Sequence, residues 1–334
     1  MAYVSILIGL APVLLFLAGL VVLDSYKLVS LKSILRSVCV GVLVACVALL
    51  VNQWLLGGGA VTEAVLKRAV GPLVEEVLKA LFVVYLLRAE KVGFMVDAGI
   101  CGFAIGAGFA VLENIYYYHA LQDPHIGLWI VRGFGTAVLH GSCTAIFAIV
   151  SKGLMDRHSS AALHLLLPGF ALAFSLHALF NQFILDAMIE TAVVLVGMPL
   201  LVAIVFEQSE RATRQWLGTG FDTDVELLEL ILDGEIGDSK VGQYLESLKA
   251  HFQGHVVGDM LCYLRIHLEL SVRAKGMLIA RGAGLDVPID EHVRANFEEL
   301  KFLERSIGKT GKIAILPILK TSSRDLWQIY MLGK

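Results

Sequence analysis

Glu75 and Glu76 sit side by side in Gly71-Pro72-Leu-Val-Glu-Glu-Val-Leu-Lys79-Ala-Leu-Phe-Val-Val-Tyr-Leu-Leu87, a stretch otherwise apolar enough to lie in lipid. A carboxylate at mid-bilayer costs roughly 2.5–3.5 kcal/mol even on a lenient insertion scale. Two adjacent ones also repel each other. Packing a membrane helix needs neither of them, whereas proton transfer does. Lys79 is four residues from Glu75 and three from Glu76, within reach of either on a helix. It can neutralise one and leave the other to handle a proton.

Three further apolar stretches carry groups of the same kind. Glu113 follows Gly106-Ala-Gly108-Phe109-Ala-Val-Leu, with Asn114 beside it. His140 follows Gly133-Phe-Gly-Thr-Ala-Val-Leu139, and His177 and Asn181 are four residues apart on one helical face. Two neutral imidazoles and a carboxylate form a catalytic zinc set with a fourth position left for water. A metal there lowers the pKa of that water to about 7, and a neighbouring carboxylate serves as base. The residues supply His140, His177 and Glu113 as ligands, Glu75 or Glu76 as base, and Asn181 as a donor to a tetrahedral oxyanion. A metal-free version uses a glutamate–histidine pair to activate water directly.

Such a site requires helices that bring these groups to one depth. Hydropathy read over about 19 residues predicts seven spans, near 3–23, 35–56, 70–88, 94–119, 128–151, 161–185 and 189–206. Pro72 suits the first turn of the third. Gly99, Gly102 and Gly106 recur at helical spacing and let a neighbouring helix come close. Lys27, Lys32 and Arg36 fall between spans one and two, Arg88 and Lys91 between three and four, Lys152 and Arg157 between five and six, and Arg211 and Arg214 after span seven. The alternate loops, His119–His125 and Asp186–Glu190, hold no Lys or Arg. Positive charge stays on the cytoplasmic side, so the N-terminus is expected outside and the C-terminal region inside. Lys67 and Arg68 depart from the pattern and suit a short interfacial helix. At 1.5 Å per residue, Glu75, Glu113 and His177 fall roughly 9, 9 and 12 Å below the outer surface, and His140 roughly 15–18 Å. Four groups on four helices are therefore expected to converge in the outer half of the bilayer.

Composition supports the same division. Of 334 residues 57% are hydrophobic and 17% charged, where a soluble chain would carry nearer a quarter charged. Residues 1–206 hold 11 basic and 11 acidic side chains, and 207–334 hold 16 and 19, so the net charge of −3 belongs to the C-terminal region. The expected fold is all-α: a polytopic bundle of about seven spans over residues 1–206, followed by a soluble helical domain over 207–334. In the latter, Asp224–Leu232, Val241–Ile279, Val293–Ile307 and Asp325–Leu332 show helical periodicity. Gly308-Lys-Thr-Gly311 lacks the frame of a phosphate loop. No basic n-region marks a cleavable signal peptide, and neither half is basic enough for nucleic acid. The five cysteines form no CxxC pair, and four lie in apolar segments as expected for buried, reduced thiols. Nothing in the sequence sets an oligomeric state.

Glu75-Glu76-x-x-Lys79, Phe109-x-x-x-Glu113-Asn114, the isolated His140 and His177-x-x-x-Asn181, in this order over roughly residues 60–206, resemble the motifs of the PrsW family of intramembrane proteases. That family is related to the CAAX prenyl protease and bacteriocin-processing superfamily. The resemblance implies peptide-bond hydrolysis within a bacterial or archaeal cytoplasmic membrane. The implied substrate is a membrane-anchored protein, typically a regulator such as an anti-sigma factor. Two other classes remain to be weighed. A proton- or ion-coupled transporter would show inverted repeats with broken helices, and no repeat relates the two halves. A seven-span receptor or scaffold signalling through its tail would keep its function in Glu75→Gln.

Overall fold

The computed structural model describes residues 2–24, 29–121, 125–158, 162–283, 285 and 291–319. Among these there is no strand, and the chain separates into two compact units, Met1–Ser209 and Glu210–Lys334. The first contains α1 (Ala2–Leu23), α2 (Leu31–Gly57), α3 (Gly71–Arg88), α4 (Met95–Leu121), α5 (Ile126–His158), α6 (Leu163–Phe180) and the start of α7 (Ala187–Leu232). Among the described residues six helices are long and apolar enough to cross a membrane. They are all of these except α3, which carries Glu75, Glu76, Lys79 and Arg88 within 18 residues. This is a multi-pass membrane protein, and the expected count of about seven corresponds to those six plus α3.

Local chemistry sets the helix ends. Ser30 caps α2 by accepting from the Ser33 N–H at 3.3 Å, and Thr62 does the same for the short turn Glu63–Val65. That turn passes through a π-helical segment, Leu66–Val70, directly into α3, where Pro72 occupies the first turn. The run around Lys67 and Arg68 is therefore helical, with Lys67 paired to Glu63 at 2.5 Å. A second π-helical segment, Val131–Ala137, interrupts α5 just before His140. Such wide turns recur at functional sites because they re-aim the side chains that follow.

The centre of the unit is α4, buried continuously from Asp97 to Ala110 and packed against α1, α2 and α5. Its glycines serve the close approach that their spacing predicts. A Cβ on Gly106 would lie 2.3 Å from the His140 carbonyl oxygen, and one on Gly102 2.7 Å from that of Thr144. Helices α4 and α5 thus meet backbone to backbone. The apolar outer faces of α1, α2 and α7 are left exposed, as lipid-facing surfaces are. Cys39 and Cys46 lie on this exposed surface of α2, so only Cys101 and Cys143 are the buried thiols expected of the apolar segments.

The second unit contains the end of α7, then α8 (Lys240–Leu248), α9 (Gly254–Gly282) and α10 (Glu291–Leu319). The helix expected over Val241–Ile279 is split, because the His251 and Phe252 N–H groups turn back to the Leu248 carbonyl and Gln253 is extended. Gly308 is also non-helical, at φ 65° and ψ −179°, and kinks α10. Leu245, Met260, Ile266, Leu270, Val293, Leu303 and Ile315 are among the side chains that form the core of this unit. The helix expected at Asp325–Leu332 lies outside the described residues, as do Lys27 and the side chain of Arg214.

Candidate active site

Four helices contribute to one buried polar cluster. Glu75, Glu76 and Lys79 come from α3, Glu113 from α4, His140 from α5 and His177 from α6. Lys79 is wholly buried and donates to Glu76 Oε1 at 2.6 Å and to His140 Nδ1 at 3.2 Å. Its ammonium also stands 4.9 Å from the centre of the Phe109 ring, a cation–π contact. His177 Nδ1 donates to Glu76 Oε1 at 2.8 Å, and His140 Nε2 donates to Glu113 Oε2 at 3.0 Å. The two rings lie edge to face, 4.7 Å between centroids.

These contacts place a proton on one named nitrogen of each ring. An ammonium only donates and an ionised carboxylate only accepts, so His140 carries its proton on Nε2 and offers the Nδ1 lone pair to Lys79. His177 carries a proton on Nδ1, where Glu76 accepts it, and its Nε2 faces Glu75 Oε2 at 3.8 Å. The two adjacent glutamates are thereby told apart. Glu76 is 2% exposed and shared between Lys79 and His177. Glu75 is 13% exposed, and its contacts are looser: His177 at 3.8 Å and the Asn52 amide, which donates from α2 at 3.4 Å.

Donor atoms of Glu75, His140 and His177 lie within 4.8 Å of one another, and a carboxylate with two imidazoles matches the chemistry of a catalytic zinc set. The residues fit a divalent ion on that ground, with one rearrangement required: the His140 lone pair is held by Lys79. Glu113, expected among the ligands, instead receives His140 Nε2–H and lies 3.2 Å from Arg132 Nη2. Glu113 and Glu76 thus each accept the outward N–H of one histidine, the arrangement by which carboxylates orient metal-binding imidazoles. Asn181, expected as an oxyanion donor, caps the end of α6 and donates its amide to the Lys67 carbonyl at 3.0 Å, which ties α6 to the π-helical turn before α3.

A family model describes the segment that builds this cluster. Residues 29–206 match the PrsW family intramembrane metalloprotease model. The chain belongs to the PrsW family. The match takes in α2 through the membrane part of α7, so it reaches further toward the N-terminus than the motif-bearing stretch of residues 60–206. Every side chain of the cluster falls inside the PrsW segment, whereas α1 and the second unit fall outside it. No curated protein and no solved structure matches the chain.

Two residues of the site escape a reading of motifs. Arg132 is the second residue of the π-helical segment of α5 and pairs with Glu113 on α4. Asn52 reaches Glu75 from α2. A signal for the first exists in the sequence, since an arginine inside an apolar run calls for a carboxylate partner, and Glu113 has no basic neighbour within its own span.

Proposed function

We propose that this protein is an intramembrane protease that hydrolyses peptide bonds of membrane-anchored proteins, with Glu75, His140 and His177 as its reaction centre. The observation that carries the reading is the approach of these three donors within 4.8 Å, from three helices, inside a family-matched membrane segment. PrsW membership supports peptidase activity, and the site supplies what hydrolysis needs. Glu75 is the less enclosed carboxylate of the pair, with the looser contacts, and it takes the water's proton. His177 Nε2 lies beside it to share that proton and return it to the leaving amine. Glu76 holds His177 through its Nδ1–H, and Lys79 and Glu113 hold His140 from its two ring nitrogens. The apolar walls of α4 and α5 keep bulk water out.

Glu75, His140 and His177 are also the residues that would hold a zinc-like divalent ion, which when bound supplies Lewis-acid polarisation of the scissile carbonyl and of the attacking water. The substrate is a membrane-anchored regulator, of which an anti-sigma factor is one example. The family resemblance supports a bacterial or archaeal cytoplasmic membrane; the loop charges support the N-terminus outside and the second unit in the cytoplasm, and helical rise supports a site in the outer half of the bilayer. The second unit then serves regulation or recruitment.

Co-expression with a panel of single-span membrane proteins tests the reading. Wild type is expected to shorten at least one of them, and Glu75→Gln and His177→Ala to shorten none. Equal products from all three versions would exclude this centre. Metal content of the purified protein is a separate readout: zinc near one per chain, lost in His140→Ala, favours the metal form, and metal-free active enzyme removes it.

A further inference from the structure

The helix that precedes the family-matched segment is tied to the site. Pro12 lies inside α1 and has no N–H to give the carbonyl four residues back, that of Ile8. In a membrane helix such a freed carbonyl must be accommodated by a neighbour. The Ile8 carbonyl rests on Gly133, in the π-helical segment of α5, so closely that a Cβ on Gly133 would lie 2.0 Å from its oxygen. The next carbonyl, of Gly9, accepts from Asn114 Nδ2 at 2.7 Å, and the indole of the buried Trp129 covers Gly9.

From Asn114 the contacts continue into the site. Asn114 is 2% exposed, and its Oδ1 accepts from Arg132 Nε at 2.9 Å. The Arg132 guanidinium lies 3.9 Å from the centre of the Tyr117 ring, and its Nη2 is 3.2 Å from Glu113 Oε2. That last contact is an ion pair without hydrogen-bond alignment, so it acts on Glu113 by charge and its geometry depends on what holds the guanidinium. Glu113 in turn accepts the His140 Nε2–H.

We propose that α1, Asn114 and Arg132 form a positioning clamp on Glu113: α1 fixes the Asn114 amide, Asn114 fixes the guanidinium, and the guanidinium holds the Glu113 carboxylate on His140. Acting at Nε2 opposite the Lys79 ammonium at Nδ1, the clamp sets which nitrogen His140 turns toward Glu75 and His177. Asn114, Arg132 and Gly133 are positioning residues in this account, and their effect on turnover rests on the protease reading above.

The test is nitrogen NMR of histidine-labelled, full-length protein in lipid nanodiscs, without substrate or metal. His140 is expected to be protonated on Nε2 and not on Nδ1 in wild type. Asn114→Leu, Arg132→Gln and Gly133→Ala are expected to lose that single tautomer while the His177 signals stay, and Arg132→Lys to restore much of it by keeping the charge. With a substrate from the co-expression panel, the first three variants are expected to lower kcat about ten- to a hundred-fold at unchanged KM. Identical His140 signals in wild type and variants would overturn the clamp, as would a wild-type ring protonated on Nδ1. If no panel protein is cleaved but the His140 signals shift as stated, the protease reading fails and the clamp stands. Cleavage with unshifted signals has the reverse meaning.

Discussion

The chain contains the same ion pair twice, in two media. Glu76-x-x-Lys79 in the membrane unit and Glu246-x-x-Lys249 in the second unit share residue types, i,i+3 spacing and a 2.6 Å contact. Lys79 and Glu76 are 0% and 2% exposed, and Lys249 and Glu246 are 53% and 69% exposed. An exposed pair is screened by water and contributes little. A buried pair must offset the loss of hydration of both ions, which it does only with further hydrogen bonds. Glu76 finds one from His177, and Lys79 finds one to His140. The comparison teaches that spacing alone says nothing about role. The surrounding medium turns a surface contact into the element that aligns two histidines.

Removing one partner separates the two cases most strongly. Lys79→Met leaves Glu76 buried beside Glu75 without its cation, an expected loss of roughly 3–5 kcal/mol, read as a lower unfolding temperature in detergent together with lost activity. A backbone change at the site comes next. Gly106→Ala drives a methyl group into the His140 carbonyl oxygen and is expected to cost about 1–3 kcal/mol, with reduced cleavage because His140 moves. Lys249→Met is expected to change stability by less than about 1 kcal/mol and to leave cleavage unaltered. A Lys249→Met loss as large as that of Lys79→Met would show that medium is not what distinguishes the pairs.

The convergence of Glu75, Glu76, Glu113, His140 and His177 was legible because ionisable groups in lipid are costly and must find one another, and because helical rise converts sequence position into depth. Their pairing was not. Helical spacing let Lys79 reach Glu75 or Glu76 equally, and only the packing of α5 and α6 against α3 assigns it to Glu76 and His140. Asn181 has the right position to face the site, yet the end of its own helix leaves its amide beside the Lys67 carbonyl, which takes it. Arg132 stood in plain view, but its partner lies on another helix and its aim depends on a π-helical segment that no periodicity announces. In the second unit the split of α8 from α9 was hidden, since the apolar periodicity resumes after the turn at Lys249–Gln253.

The central claim is that Glu75, the less enclosed member of the adjacent pair, handles the proton of the hydrolytic water. The direct measurement is cleavage of one single-span membrane protein in proteoliposomes by wild type, Glu75→Gln and Glu246→Gln, with unfolding temperatures recorded for each. The account predicts that Glu75→Gln loses about a hundred-fold or more in rate while keeping its unfolding temperature, and that Glu246→Gln cleaves as wild type does. Wild-type rates from a folded Glu75→Gln protein would contradict it.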